Sequence, residues 1–190
     1  MTRQHTGSAQ AAPESWLKRY YLMRAAFSIA WIIAVLTVAQ ASAAAGAALL
    51  VGYPAWDAVA NYIDSKRSGG LAANRTQLLN VVVSIVVALM LAVTWPDMHG
   101  VLGVFGAWAI LSGLLQLGTA LRRWKNHGAQ WAMALSGAQS ALAGAFFIYQ
   151  AQMPAEPSVA SLVGYAGFGA FYFLASALSL RAGEWRRKRA

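Results

Sequence analysis

Cysteine is absent from the sequence. That excludes disulfides, thiolate metal sites and cysteine nucleophiles, and it leaves the redox compartment open. Acidic residues are scarce, with six Asp and Glu against fifteen Lys and Arg. Charged residues make up 11% of the chain, where a soluble domain carries roughly 25%. The three histidines, His5, His99 and His127, are far apart. No phosphate-binding glycine loop, zinc motif or nucleophile elbow occurs. Convergent acid, base and nucleophile groups are too few for an enzyme, and neither a metal nor another cofactor is expected.

What the chain does have is apolar length. Hydrophobic residues make up 58% of its 190 positions, which is one domain by size. Six runs are long enough to cross a bilayer: about Tyr20–Gln40, Ala43–Tyr62, Leu78–Trp95, Val101–Leu121, Gln130–Gln150 and Val159–Leu180. The expected fold is an all-α polytopic membrane protein of six transmembrane helices. Residues 1–19 read as a flexible lead, 20–181 as the membrane domain and 182–190 as a basic tail. Pro54 falls inside the second run, where it is expected to kink the helix.

The basic residues state a topology. They fall into Arg3, Lys18, Arg19 and Arg24; Lys66, Arg67 and Arg75; Arg122, Arg123 and Lys125; and Arg181, Arg186, Arg187, Lys188 and Arg189. The alternate connections carry none. Cytoplasmic loops keep Lys and Arg, so all four clusters and both termini are expected in the cytoplasm. Arg24, inside the first span, is expected to snorkel to the interface. Topology accounts for the net charge of +9, so no nucleic-acid partner is expected. The tail can rest on anionic lipid. Ala-Ser-Ala at 41–43 imitates a signal cleavage site, but the preceding run is long for a signal peptide, and an uncleaved anchor is expected.

The chain divides into three hairpins, about 20–70, 75–125 and 128–181. The last two share a proline at the outer turn, Pro96 and Pro154, then a Gly-rich returning span with Gly103, Gly106 and Gly113, or Gly164, Gly167 and Gly169. All start on one side, so the repeats are parallel and allow a pseudo-threefold axis. Their small-residue faces suit packing within the chain or a homo-oligomer.

The stretch Phe105-Gly106-Ala107-Trp108-Ala109-Ile110-Leu111-Ser112-Gly113-Leu114-Leu115-Gln116, followed by Trp131-Ala132-Met133-Ala134-Leu135-Ser136-Gly137 and Leu142-Ala143-Gly144, resembles the HdeD-like family of bacterial inner-membrane proteins. The resemblance covers roughly residues 78–181. It implies a fold of two-span repeats and a role in acid resistance, and it brings no catalytic residues. The segment from Tyr53 to Asp64 departs from it, being polar where a typical repeat is apolar.

That segment holds the main candidate site. Asp57, Asn61 and Asp64 lie at i, i+4 and i+7, on one helix face. Asp57 precedes Lys66 by ~13 Å of helix at 1.5 Å per residue, which puts it below the head groups. A carboxylate there is costly to hold as an anion and is a candidate for proton relay or substrate coordination. The other reading is an interfacial helix on which Asp64 pairs with Lys66, Arg67 or another basic loop, and Asn61 ties helices together. Gln116 and Gln139 either line a cavity or join helices. Asp97, His99 and Glu156 are candidate protonatable groups at the outer face, histidine being the side chain that changes charge near neutrality. The expected function is a non-enzymatic membrane protein supporting acid or envelope stress tolerance. The alternative is a small proton-coupled transporter or channel using the polar residues of the second span.

Overall fold

The computed structural model describes residues 6–125 and 130–189, with side chains from residue 15 onward except that of residue 188. His5 and His127 lie outside the described side chains. Six helices are long and apolar enough to cross a membrane. They are α1 (Thr6–Ala34, continued by a π turn over Val35–Ala39), α2 (Ala43–Arg67), α3 (Arg75–Thr94), α4 (Met98–Arg123), α5 (Gln130–Gln150) and α6 (Val163–Arg189, entered through a 3-10 turn at Val159–Leu162).

Local sequence sets the helix ends. Ser42 accepts from the Ala45 N–H at 3.3 Å and starts α2 after a tight turn. Asp97 accepts from the His99 N–H at 3.1 Å and starts α4. Gly69 and Gly70, at φ of 95° and 86°, carry the chain between α2 and α3 through backbone that other residues avoid. Two boundaries differ from expectation. Helix begins at Thr6, inside the stretch read as a flexible lead, and α6 runs to Arg189 through the basic tail. α2 continues unbroken past Pro54, which is buried.

The helices close into a ring, each packing on its neighbours in chain order and α1 on α6. The closest pairings are α4 with α5, α2 with α3, and α1 with α6. The hairpin partners α1 and α2, α3 and α4, and α5 and α6 pack less extensively. The seams between expected hairpins are thus tighter than the hairpins themselves. Glycine makes one seam tight. Gly106 meets Gly144 and Gly113 meets Gly137, so closely that a Cβ at any of them would fall within 2.7 Å of the facing carbonyl oxygen. Close backbone approach gives membrane helices the packing that lipid cannot.

The surface and interior are reversed relative to a water-soluble bundle. Val93 is 86% exposed and Leu142 73%, with many other Leu, Ile, Val and Phe side chains outward. Asp57, Asn61, Asp64, Gln77, Asn80, Ser84, Ser112 and Ser136 are buried. An apolar exterior suits a bilayer, and the interior joins an apolar core to a set of buried polar groups that bond to one another.

Candidate functional site

At the centre is a buried ion pair between Arg24 of α1 and Asp57 of α2, Nη2 to Oδ1. Arg24 does not snorkel. Its guanidinium turns inward, hydrogen-bonds the Tyr20 hydroxyl at 3.1 Å and lies over the Phe173 ring of α6, 4.5 Å from its centroid. An aromatic face and a carboxylate together replace the water a buried cation loses.

The second oxygen of Asp57 is held as firmly. Oδ2 accepts from Ser84 Oγ of α3 and from Asn61 Nδ2, each at 3.0 Å. The Ser84 hydroxyl in turn accepts from the Trp108 indole N–H of α4 at 3.0 Å. The indole fixes which way the hydroxyl points, so its proton is committed to Asp57. One relay runs through four helices, from Trp108 to Ser84 to Asp57 to Arg24.

This network borders a cavity of about 60 Å³ to which α4 also contributes Gln116, α5 contributes Ser136, Gln139 and Ser140, and α6 contributes Tyr165. That space holds a few water molecules. Ser140 donates to the Ala109 carbonyl at 2.9 Å and shares a 2.8 Å hydrogen bond with the Tyr165 hydroxyl. Toward the helix ends that carry the basic clusters lies a second cavity of about 40 Å³, bordered by Asn61, Asp64, Gln77, Asn80, Thr119 and Arg123 among others. Arg24, Asn80 and Gln116 border both.

The mouth of the second cavity is tied across three helices. Asp64 Oδ2 accepts from Arg123 at 3.0 Å and Gln77 at 3.1 Å, Gln77 accepts from Arg122 at 3.2 Å, and Arg123 reaches Ser68 Oγ at 3.2 Å. The opposite half of the bundle is apolar. Trp31, Leu50, Leu91, Val101, Leu102, Phe105 and Leu162 pack there with Tyr53 and Trp108. Polar groups thus reach from the basic end to mid-depth and stop.

The structure gathers Asp57, Asn61, Asp64, Gln116 and Gln139 around these two cavities. Asp64 pairs with Arg123, not with its sequence neighbours Lys66 and Arg67. Gln116 also ties helices, donating to the Met133 carbonyl at 3.2 Å. Asp97, His99 and Glu156 lie elsewhere, at the other end. Asp97 serves as the α4 cap, the His99 Nδ1 sits 3.0 Å from the Ala151 carbonyl, and Glu156 is exposed. Among the described residues no group of three or more His, Cys, Asp or Glu side chains is placed to hold a metal ion.

Sequence reasoning missed Gln77, Asn80 and Ser84. Their spacing, i, i+3 and i+7 on α3, repeats the signal that singled out Asp57, Asn61 and Asp64 on α2. It missed Trp108 because a tryptophan in an apolar span looks like packing, and the inward turn of Arg24 because a cation near a span end looks like an interfacial one.

No protein-family model, curated protein or solved structure matches the chain. The geometry therefore carries the functional argument alone. The fold and site define a multi-pass membrane protein with a charged, hydrogen-bonded interior. The Asp57 carboxylate and the Arg24 guanidinium neutralise each other in the interior of the bundle.

Proposed function

We propose that this chain is a non-enzymatic bacterial inner-membrane protein, HdeD-like in character, that supports tolerance of acid or envelope stress by acting as a small proton-coupled transporter or channel centred on Arg24 and Asp57. The observation that carries the transport reading is the buried Arg24–Asp57 pair at the edge of a cavity bordered by polar groups. A bundle built only for packing has no use for two opposite charges at mid-depth, since apolar residues of similar volume serve stability as well or better. Protonation of Asp57 frees Arg24, and that exchange couples proton binding to rearrangement of the cavity wall.

The finer features of this reading go together. The termini lie in the cytoplasm because the basic clusters do. Three parallel two-helix repeats form the ring; what supports a repeat is that the closest pairings recur at every second helix pair, between the hairpins and not within them. The basic end of α6 contacts anionic lipid, and the chain self-associates through its exposed small-residue faces.

Two measurements test the proposal. Reconstituted in liposomes with an entrapped pH dye, the wild type is expected to speed dissipation of an imposed pH gradient, and Asp57→Asn to abolish that effect. Cells lacking the protein are expected to survive acid shock poorly and to be rescued by the wild type, not by Asp57→Asn at matched membrane level. Wild-type liposomes no leakier than protein-free ones would refute the transport reading. Full survival without the protein would refute the stress role.

A further inference from the structure

Two residues that border the second cavity each hold a buried acceptor oxygen that receives no donor from the protein: Asp64 Oδ1 and Asn80 Oδ1. Asp64 is 4% exposed and Asn80 8%. A buried acceptor left unpaired is costly, so two on residues bordering one small cavity point to a resident donor. A bare metal ion does not suit the site, because Arg24 and Arg123 border the same space and would repel it. An ammonium group meets the same repulsion. Water has the right size, donates twice and carries no charge.

We propose that the second cavity is a water-filled vestibule giving Asp57 access from the basic end only, with the Asp64–Arg123 pair as its gate. Asn80 borders both cavities, so water bound to its carbonyl oxygen stands between the mouth and the space beside Asp57. The gate pair is weakly exposed, at 5% and 15% of the two side chains, and it joins α2 to α4. On the far side, Phe105, Leu102, Leu162 and Trp31 pack as an apolar plug. The inference deepens the transport reading, since one-sided access is half of an alternating cycle, yet its test requires no flux.

The natural absence of cysteine makes the test direct. Near-isosteric single variants place a thiol in the vestibule (Thr119→Cys), beside the inner cavity (Ser112→Cys) and in the apolar half (Ala166→Cys). Silver ion, close to water in size and bound by a thiolate far more tightly than two arginines repel it, is applied in nitrate buffer to one face of oriented vesicles and left to reach equilibrium. After quenching and denaturation, the thiols left unblocked are alkylated and counted. Silver at the basic face is expected to abolish alkylation at positions 119 and 112 and to leave position 166 untouched. Silver at the opposite face is expected to block none. Adding Arg123→Gln is expected to speed blocking at 112 from the basic face. Blocking of 112 from the opposite face, or of neither cavity thiol from the basic face, overturns the vestibule; an unchanged rate with Arg123→Gln overturns the gate. Blocking from the basic face in a protein that passes no protons would leave the vestibule standing and remove the transport reading.

Discussion

Gly113 and Gly137 stand back to back across the seam between α4 and α5, each so placed that a Cβ would come within 2.6 Å of the other's carbonyl oxygen. The twin Leu-Ser-Gly triplets are two halves of one contact. Gly113→Ala is expected to force the helices apart and to cost about 1–3 kcal/mol, as overpacking does. Gly103→Ala, with nothing within 4 Å of its added carbon, is expected to be neutral or stabilising. Thermal denaturation of the two variants in detergent compares them directly.

The Arg24–Asp57 pair is expected to behave as a unit. Arg24→Gln or Asp57→Asn alone leaves one buried charge without its partner, at a cost of about 3–5 kcal/mol. The double variant is expected to cost much less than the sum of the two. A double-mutant cycle by reversible unfolding in mixed micelles measures the coupling. Simple additivity would mean that the two side chains do not share a bond.

Ser84 is expected to matter beyond its size. Ser84→Ala strips Asp57 of a donor and leaves the Trp108 N–H without an acceptor, worth about 1–3 kcal/mol for a buried group. Adding Trp108→Phe to Ser84→Ala is expected to cost less than Trp108→Phe does in the wild type, because the orphaned N–H goes with it. The same unfolding assay reads this.

Topology is open to labelling. Ala72 and Ala155 are both exposed, in connections at opposite ends of the bundle. With an impermeant maleimide, Ala72→Cys is expected to react only from the cytoplasm and Ala155→Cys only from outside. Reaction of both from one side would contradict the six-span arrangement.

How much was legible in the sequence differs from element to element. The spans were readable because twenty apolar residues have few other uses, and α5 begins and ends where expected, at Gln130 and Gln150. The α2 polar face was readable because Asp and Asn in an apolar run stand out at helical spacing. The partners of that face were not. Arg24 is separated from Asp57 by a whole hairpin, and only the packing of α1 beside α2 decides whether it faces lipid head groups or the interior. Asp64 had Lys66 and Arg67 as near neighbours, but Lys66, two positions on, projects from another part of the helix surface, and Arg67, which shares the face of Asp64, lies over the Trp16 ring, which left Arg123 of α4 as its partner. The tight seams were hidden for a similar reason. Sequence proximity joins α1 to α2 and α5 to α6, while close packing follows the small residues, wherever their faces meet.

The closure of the ring by α1 and α6 makes one side of Arg24 wait for the other. α1 packs most extensively on α6, which follows it by four intervening helices. α2 comes soon after α1 and can bring Asp57 to Arg24, but the Phe173 ring that covers the other face of the guanidinium arrives only with α6. Until then the cation is covered on one flank only. Lys18 and Glu184, joined at 2.7 Å, fasten the same closing seam.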